Sequence, residues 1–374
     1  MTKKCKKCLS SSSGINPFNL EGICQECADV EVLPITSRER DLSSLLNATS
    51  GKRFDLLVAL SGGKDSAYLL HYLSRVQGRR LYALTWNHGH NRDVVWKNID
   101  KALQNAGNVD WEAFSYRHDY MTMVRQALLM EVKNMCMCAH FVNLRAIQTC
   151  MTEEIPFIAF GFAPAQTAKR GRFEVLESKK RYSAFQEYAA SFRRLIYHCL
   201  NQHYPEKAEE VASYLFQPLE DEIKRATFFP AFLEVSCYVP WEAAAIRKVV
   251  AEIGWKRDIN QEGDLHTNCI FEPMRGHIEY LTGKSLLISE LNYTIRAGEI
   301  SRDEALRELQ ASGYGNIPPK GSDKFFDFIE LPRRRFYEEL SKPISSEAKS
   351  LLADFVRAGY VVRGYEDAAK KIIQ

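Results

Sequence analysis

The stretch FDLLVALSGGKDSAYLLHYL, residues 54–73, reads as three pieces joined without spacers. Residues 54–60 form a short apolar run of the kind that fills a buried parallel strand. SGGKDS, residues 61–66, follows directly, and the apolar spacing of 67–73 suits a helix lying on a sheet. A strand, a glycine turn and a helix start make an anion site. Gly62 and Gly63 let the backbone close on an oxyanion, while exposed amides and the helix dipole favour negative charge. Lys64 adds a point charge, and Ser61 and Ser66 offer hydroxyl donors. Adjacent glycines, and an aspartate after the lysine, separate this loop from the Gly-x4-Gly-Lys-Ser/Thr type.

Working outward, RLYALTWN (80–87) reads as the next strand and ends in the polar tail HGHN (88–91). IPFIAFGFAP (155–164) is a further buried strand ending in a glycine loop, and PAFLEVSCYVPWEAAAIRKVVA (230–251) is a last strand and helix. The fold class expected is α/β, a doubly wound parallel sheet, with ligand beyond the carboxyl ends of its strands. Ala59, Ser61, Gly62, Gly63, Lys64, Asp65, Ser66, Thr85, Trp86, Asn87 and Gly161 are therefore the candidate nucleotide-binding residues. His88 and His90 are read as exposed or phosphate-facing rather than as metal ligands.

The 374 residues exceed what one core usually organises, and 45% apolar with 26% charged residues is ordinary globular composition. A net charge of +3 announces neither a nucleic-acid nor a membrane partner. No apolar run reaches membrane-spanning length, and the basic start lacks an apolar core behind it. A cytoplasmic chain with reduced cysteines is expected. Of ten cysteines, Cys5, Cys8, Cys24 and Cys27 form Cys-x2-Cys-x15-Cys-x2-Cys, the spacing of a closed four-sulfur zinc site. Cys136, Cys138 and Cys269 are the other cysteines singled out, with small buried apolar side chains as the bland alternative. The expected organisation is a zinc ribbon (1–34), a polar linker (35–52) and the first part of a nucleotide domain (53–165). A helical insertion (166–226), the last strand and helix of that domain (227–273) and a C-terminal helical domain (274–374) complete it. The insertion begins with Lys169, Arg170, Arg172, Lys179, Lys180 and Arg181, a mixture that binds phosphorylated sugars or RNA or is simply a solvated helix face. SRDEALREL (301–309) carries a serine suited to a helix N-cap, with acids in the first turn.

SGGKDS after an apolar strand resembles the PP-loop of the N-type ATP pyrophosphatases, similar in fold to the adenine nucleotide alpha-hydrolases. The resemblance implies that ATP is split between its α and β phosphates, with Mg2+, and that AMP passes to a substrate oxygen. A nitrogen or sulfur nucleophile then displaces the AMP. Ser61 to Ser66 would cradle the leaving pyrophosphate, Lys64 would clamp charge, and Asp65 would position Mg2+ or water. Cys136, Cys138 and Cys269 occupy places similar to the cysteines of tRNA-thiolating PP-loop enzymes, which implies a [4Fe-4S] cluster or sulfur carriage. The first pair is spaced Cys-x-Cys, where those enzymes usually have Cys-x2-Cys.

A broader likeness is to the N-acetyl sugar amidotransferases. It is carried by NPFNLEGICQEC (16–27), Cys138-Ala139-His140, PWE (240–242) and YTIRAGEISRDEAL (293–306). Residues 161–164 read GFAP where that family usually has Gly-Glu-Asn-Pro. The likeness implies amidation of a small-molecule acceptor, a nucleotide-linked N-acetyl sugar, with a glutaminase as nitrogen-supplying partner. The alternative is a sulfurtransferase that thiolates RNA or a small molecule, with Cys138 and Cys269 among its catalytic residues and a sulfur-donor partner. A non-catalytic zinc-ribbon adaptor that binds ATP is the third class.

Overall fold

The computed structural model describes residues 4–11, 18–28, 39–48, 51–134, 137–163, 178–258, 269–283 and 286–365. Cys136, the basic residues Lys169, Arg170 and Arg172, and the end of the chain after 365 lie outside them. Glu39–Asn47 (α1) precedes Leu56–Ala59 (β1), and Lys64–His71 (α2) runs through a π-helical turn, Tyr72–Val76, to Leu81–Trp86 (β2). Asp93–Asn105 (α3), Val109–Phe114 (β3), His118–Val132 (α4) and Cys138–Thr152 (α5) lead to Phe157–Phe160 (β4). Ser178–His203 (α6) and Ala208–Arg225 (α7) precede Ala231–Leu233 (β5), and Ala243–Glu252 (α8) follows it. Glu272–Leu281 (α9), Leu286–Arg296 (α10), Arg302–Ala311 (α11), Ser322–Ile329 (α12), Arg333–Ser341 (α13) and Ser346–Val362 (α14) complete the description.

The five strands form one parallel sheet in the order β3-β2-β1-β4-β5. Leu56 is in register with Leu81, and Leu57 with Ile158. The chain steps outward from β1 to β2 and β3, then crosses back to β4 and β5 on the other side. Neighbouring crossovers therefore diverge between β1 and β4, which opens a crevice at their carboxyl ends.

Alternation along each strand divides the apolar residues between two faces. Leu56, Val58, Leu81, Ala83, Phe157 and Ala159 pack with α2, α3 and α8. Leu57, Leu84, Trp86, Ile158 and Phe232 pack with α4 to α7 and α14. β3 escapes the apolar-run criterion because it is an edge strand. Asp110 and Trp111 are exposed and only Phe114 is buried.

Two further stretches pack onto the layers of the sheet. The stretch expected as a polar linker contains α1, whose Leu42 and Leu46 are fully buried against the sheet layer. A narrow apolar stripe in a polar sequence is enough to dock a short helix. The last described helix also packs on the sheet layers. α14 returns to lie along α6, with the Phe355 and Phe192 rings stacked 4.2 Å apart and Tyr188 beside them at 5.7 Å. Elements from the expected insertion and from the expected C-terminal region thus share one core over the sheet.

Phe192 is fully buried between Phe141, Phe216 and Phe355. Phe192→Ala is expected to cost about 3–5 kcal/mol, the usual penalty for emptying an aromatic core position. Urea unfolding of the purified variant measures it, and a loss under about 1 kcal/mol would mean that α6 and α14 do not share this core.

Candidate functional site

The turn after β1 owes its shape to two glycines. Gly62 has φ +77°, in the left-handed region, and a Cβ there would stand 2.8 Å from the carbonyl oxygen of Val95. Gly161, just past β4, has no such φ but passes so near α2 that a Cβ would meet the Ser66 nitrogen at 2.6 Å. The two glycine bends flank the crevice between β1 and β4.

The first turn of α2 leaves its donors open. Ser61 N donates to Ser66 Oγ at 3.2 Å, and Ser66 Oγ donates to Gly63 O at 3.0 Å. Ala67 N then donates to Gly63 O at 3.0 Å and begins the helical ladder. Among the described residues the amides of Gly62, Gly63, Lys64, Asp65 and Ser66 have no protein acceptor. Orphan amides at a helix head are an anion site, and a cation beside them strengthens it. Lys64 Nζ supplies that cation, 2.6 Å from Asp65 Oδ2 with its side chain 18% exposed. Both groups can exchange partners, because neither is sealed away.

Three residues take part for which the sequence reading assigns no role. Trp241 Nε1 donates to Asp65 Oδ1 at 3.2 Å. Trp255 Nε1 donates to Gly62 O at 3.0 Å, and Asn98 Nδ2 approaches the same oxygen at 3.5 Å. The available signal was a tryptophan on each flank of α8, since an indole N–H needs an acceptor wherever its ring is covered.

The end of β2 bears three of the candidate residues, Thr85, Trp86 and Asn87. Thr85 Oγ1 donates to Leu60 O at 2.8 Å and accepts from Trp111 Nε1 at 3.0 Å. The ring of Trp86 is buried against Phe114 and Phe141. Only Asn87 of the three is exposed, and its Oδ1 accepts from Gly89 N at 3.2 Å. Ala59 is buried in the strand. Thr85 and Trp86 thus commit their side chains to the fold.

His88 and His90 are not exposed loop residues. Their rings lie 3.8 Å apart, and His90 is buried on Phe271 and Phe328. Burial, with Arg125 nearby, lowers His88 to about 4; burial, with His88 and Arg125, lowers His90 to about 2. Both imidazoles are therefore neutral near pH 7. The cause is long-range packing, in which Ile270 N donates to His90 O at 3.2 Å and Asn91 bridges Cys269.

Cys138 opens α5, and its thiol is pushed up by burial, an effect opposed by Arg125 and reinforced by Glu272. Cys269 Sγ accepts from Phe271 N at 3.2 Å. Cys136 lies outside the described residues, and among those described neither Cys138 nor Cys269 belongs to a cluster of three or more metal-ligating side chains.

Cys5, Cys8, Cys24 and Cys27 do converge, with all four sulfurs within 4.8 Å of one another and every side chain buried. A closed four-sulfur set of this size could hold a metal ion such as zinc. The module rests on α10 and α11. Asn292 Oδ1 accepts from Leu9 N at 2.7 Å, and Asn292 Nδ2 donates to Ser10 Oγ at 2.9 Å. Arg302 Nε reaches Cys8 O at 3.3 Å, and Arg296 pairs with Glu26 at 2.6 Å. Ser301, expected as an N-cap, accepts from Glu304 N at 3.2 Å and completes a capping box at the head of α11.

A scan against protein-family models finds no match to this chain, and a search of the curated proteins finds none either.

Gly161→Ala would press a methyl against the Ser66 nitrogen, so it should cost about 1–3 kcal/mol, as overpacking does. A thermal unfolding midpoint equal to that of the natural chain would contradict the close approach. Metal analysis of the purified protein is expected to find one thiolate-bound ion per chain. Cys24→Ser should lose it and should open the α10–α11 region to limited proteolysis.

Proposed function

We propose that this chain is an ATP-dependent adenylating transferase of the PP-loop type, releasing AMP and pyrophosphate, and that it amidates an N-acetyl sugar with ammonia. The observation that carries the reading is the row of open amides from Gly62 to Ser66. They stand beside Lys64 in the crevice where β1 and β4 diverge. The resemblance of SGGKDS to the PP-loop supplies the reaction class, and the wider likeness of residues 16–27, 240–242 and 293–306 supplies the acceptor.

In this reading the loop Ser61 to Ser66 binds the triphosphate. Asp65 is the residue that would hold Mg2+, which screens phosphate charge when bound. The acetamido oxygen of the acceptor attacks the α phosphorus. The bond from that phosphorus to the bridging oxygen breaks, and its electron pair leaves with pyrophosphate. Lys64 and the open amides stabilise the departing charge without having to reorganise. Ammonia then adds to the activated carbon and loses a proton, AMP departs with the C–O electron pair, and an amidine remains. Cys5, Cys8, Cys24 and Cys27 hold a structural zinc ion, since four thiolates leave no open coordination position. Ammonia from a glutaminase partner and a cytoplasmic setting belong to the same reading.

Sulfur transfer through Cys136, Cys138 and Cys269, with a [4Fe-4S] cluster, ranks second. Burial pushes the Cys138 thiol up, which leaves little free thiolate to act as a nucleophile near neutral pH.

The decisive measurement is pyrophosphate release from ATP and Mg2+ in the presence of nucleotide-linked N-acetyl sugars and ammonium. Release by the natural chain is expected, with Lys64→Ala slower by about 10²–10³-fold, the effect of removing one charge-stabilising donor. ATP binding without any pyrophosphate release would leave the adaptor class standing and end the enzyme reading.

A further inference from the structure

α8 packs along α2 and carries a tryptophan at each flank, Trp241 just ahead of it and Trp255 just beyond it. Both indoles donate to the same short loop, at opposite ends. Trp255 takes the Gly62 carbonyl at 3.0 Å, and Trp241 takes Asp65 Oδ1 at 3.2 Å. The segment bearing Trp255 is itself pinned. Lys256 N donates to Asn98 Oδ1 at 2.9 Å, and Asn98 Nδ2 returns to Lys256 O at 2.8 Å. Trp241 is steadied by the Tyr68 ring, 5.1 Å away edge to face.

Each contact acts on what the loop can offer a ligand. Gly62 O is the i−4 carbonyl that the amide of Ser66 would take if the helix began one residue earlier. With that oxygen held by Trp255 and by the left-handed φ of Gly62, the Ser66 amide stays open. Asp65 sits in the first helical turn, where a carboxylate commonly turns back to cap its own helix amides and so competes with an anionic ligand. Trp241 holds one of its oxygens outward, and Lys64 Nζ holds the other at 2.6 Å.

We propose that Trp241 and Trp255 are positioning residues: braced across α8, they keep the helix-head amides free and Lys64 on a partner it can leave, so that the loop receives a polyphosphate. On binding, Lys64 passes from Asp65 Oδ2 to a phosphate oxygen while Trp241 retains Oδ1. This rests on the reading of the loop as a phosphate site, and it adds the groups that make the loop competent.

The probe is inorganic pyrophosphate, titrated calorimetrically and by indole emission into the full chain, Trp241→Phe and Trp255→Phe. Phenylalanine keeps a ring in each position and removes the N–H. The natural chain is expected to bind with a change in indole emission, because a charge moves beside Trp241. Each variant should bind about five- to tenfold more weakly, the worth of about one hydrogen bond. Trp241→Phe should lose most of the emission change, and Trp255→Phe should retain it. A role in folding alone would lower the unfolding midpoint and leave the affinity of the folded fraction untouched. Equal affinity in all three proteins overturns the brace while the phosphate reading stands. No binding by the natural chain ends the phosphate reading, and the brace with it. Should Trp255→Phe fail to fold, Trp241→Phe decides the matter through the same affinity and emission comparison.

Discussion

A peptide plane sets the geometry of the site: the backbone at Gly161 lies so close to the Asp65–Ser66 peptide that a single methyl group would collide with it. That approach is possible because β1 and β4 are adjacent parallel strands, in register at Ala59 and Phe160. It fixes where the head of α2 stands relative to both carboxyl ends. A helix head placed at such a crevice presents its unpaired amides to whatever enters from above the sheet. The surrounding groups are arranged around that fact. Val95 closes on Gly62 from one side, Asn98 and Trp255 hold its carbonyl, and Trp241 holds Asp65.

The cysteine module shows a different economy. Too short to bury a core, it draws together four sulfurs that could hold a metal ion in place of extensive apolar packing. Its outer surface is then committed to α10 and α11, almost three hundred residues away in sequence. Asn292 is the hinge of that contact, because its amide uses the oxygen to accept from Leu9 and the nitrogen to donate to Ser10. Leu9 completes the seam by packing among Leu287, Leu291 and Ala305. The short piece 293–306 thus contains the turn between the two helices that seat the module.

Much of this was legible from local chemistry. The apolar runs at 54–60 and 155–160 announced β1 and β4, and the glycines announced the bends that follow them. Four cysteines in two Cys-x2-Cys pairs announced their own cluster, and Ser301 announced its helix. These features share a cause: each is written in a short motif or in a pair of short motifs. β3 was harder to see, because an edge strand presents polar residues to water and loses the apolar signature of a buried one. α1 was hidden for a related reason, since two leucines one turn apart do not stand out in a polar stretch.

Period and composition alone pointed to a parallel α/β sheet, to a glycine bend at the head of a helix and to a cluster of four cysteines. They could not say which side chains the fold would consume. Thr85 and Trp86 sit at the right strand end, yet one bonds across the sheet and the other fills the core. Trp241 and Trp255 have no assigned role in the local pattern, and they hold the loop. In what reads as an open tail, His90 is sealed by Phe271 and Phe328 while His88 packs on Trp86 and His90. Such assignments arise when distant segments pack, because burial and hydrogen-bond partners belong to the assembled layers and have no local trace in the chain.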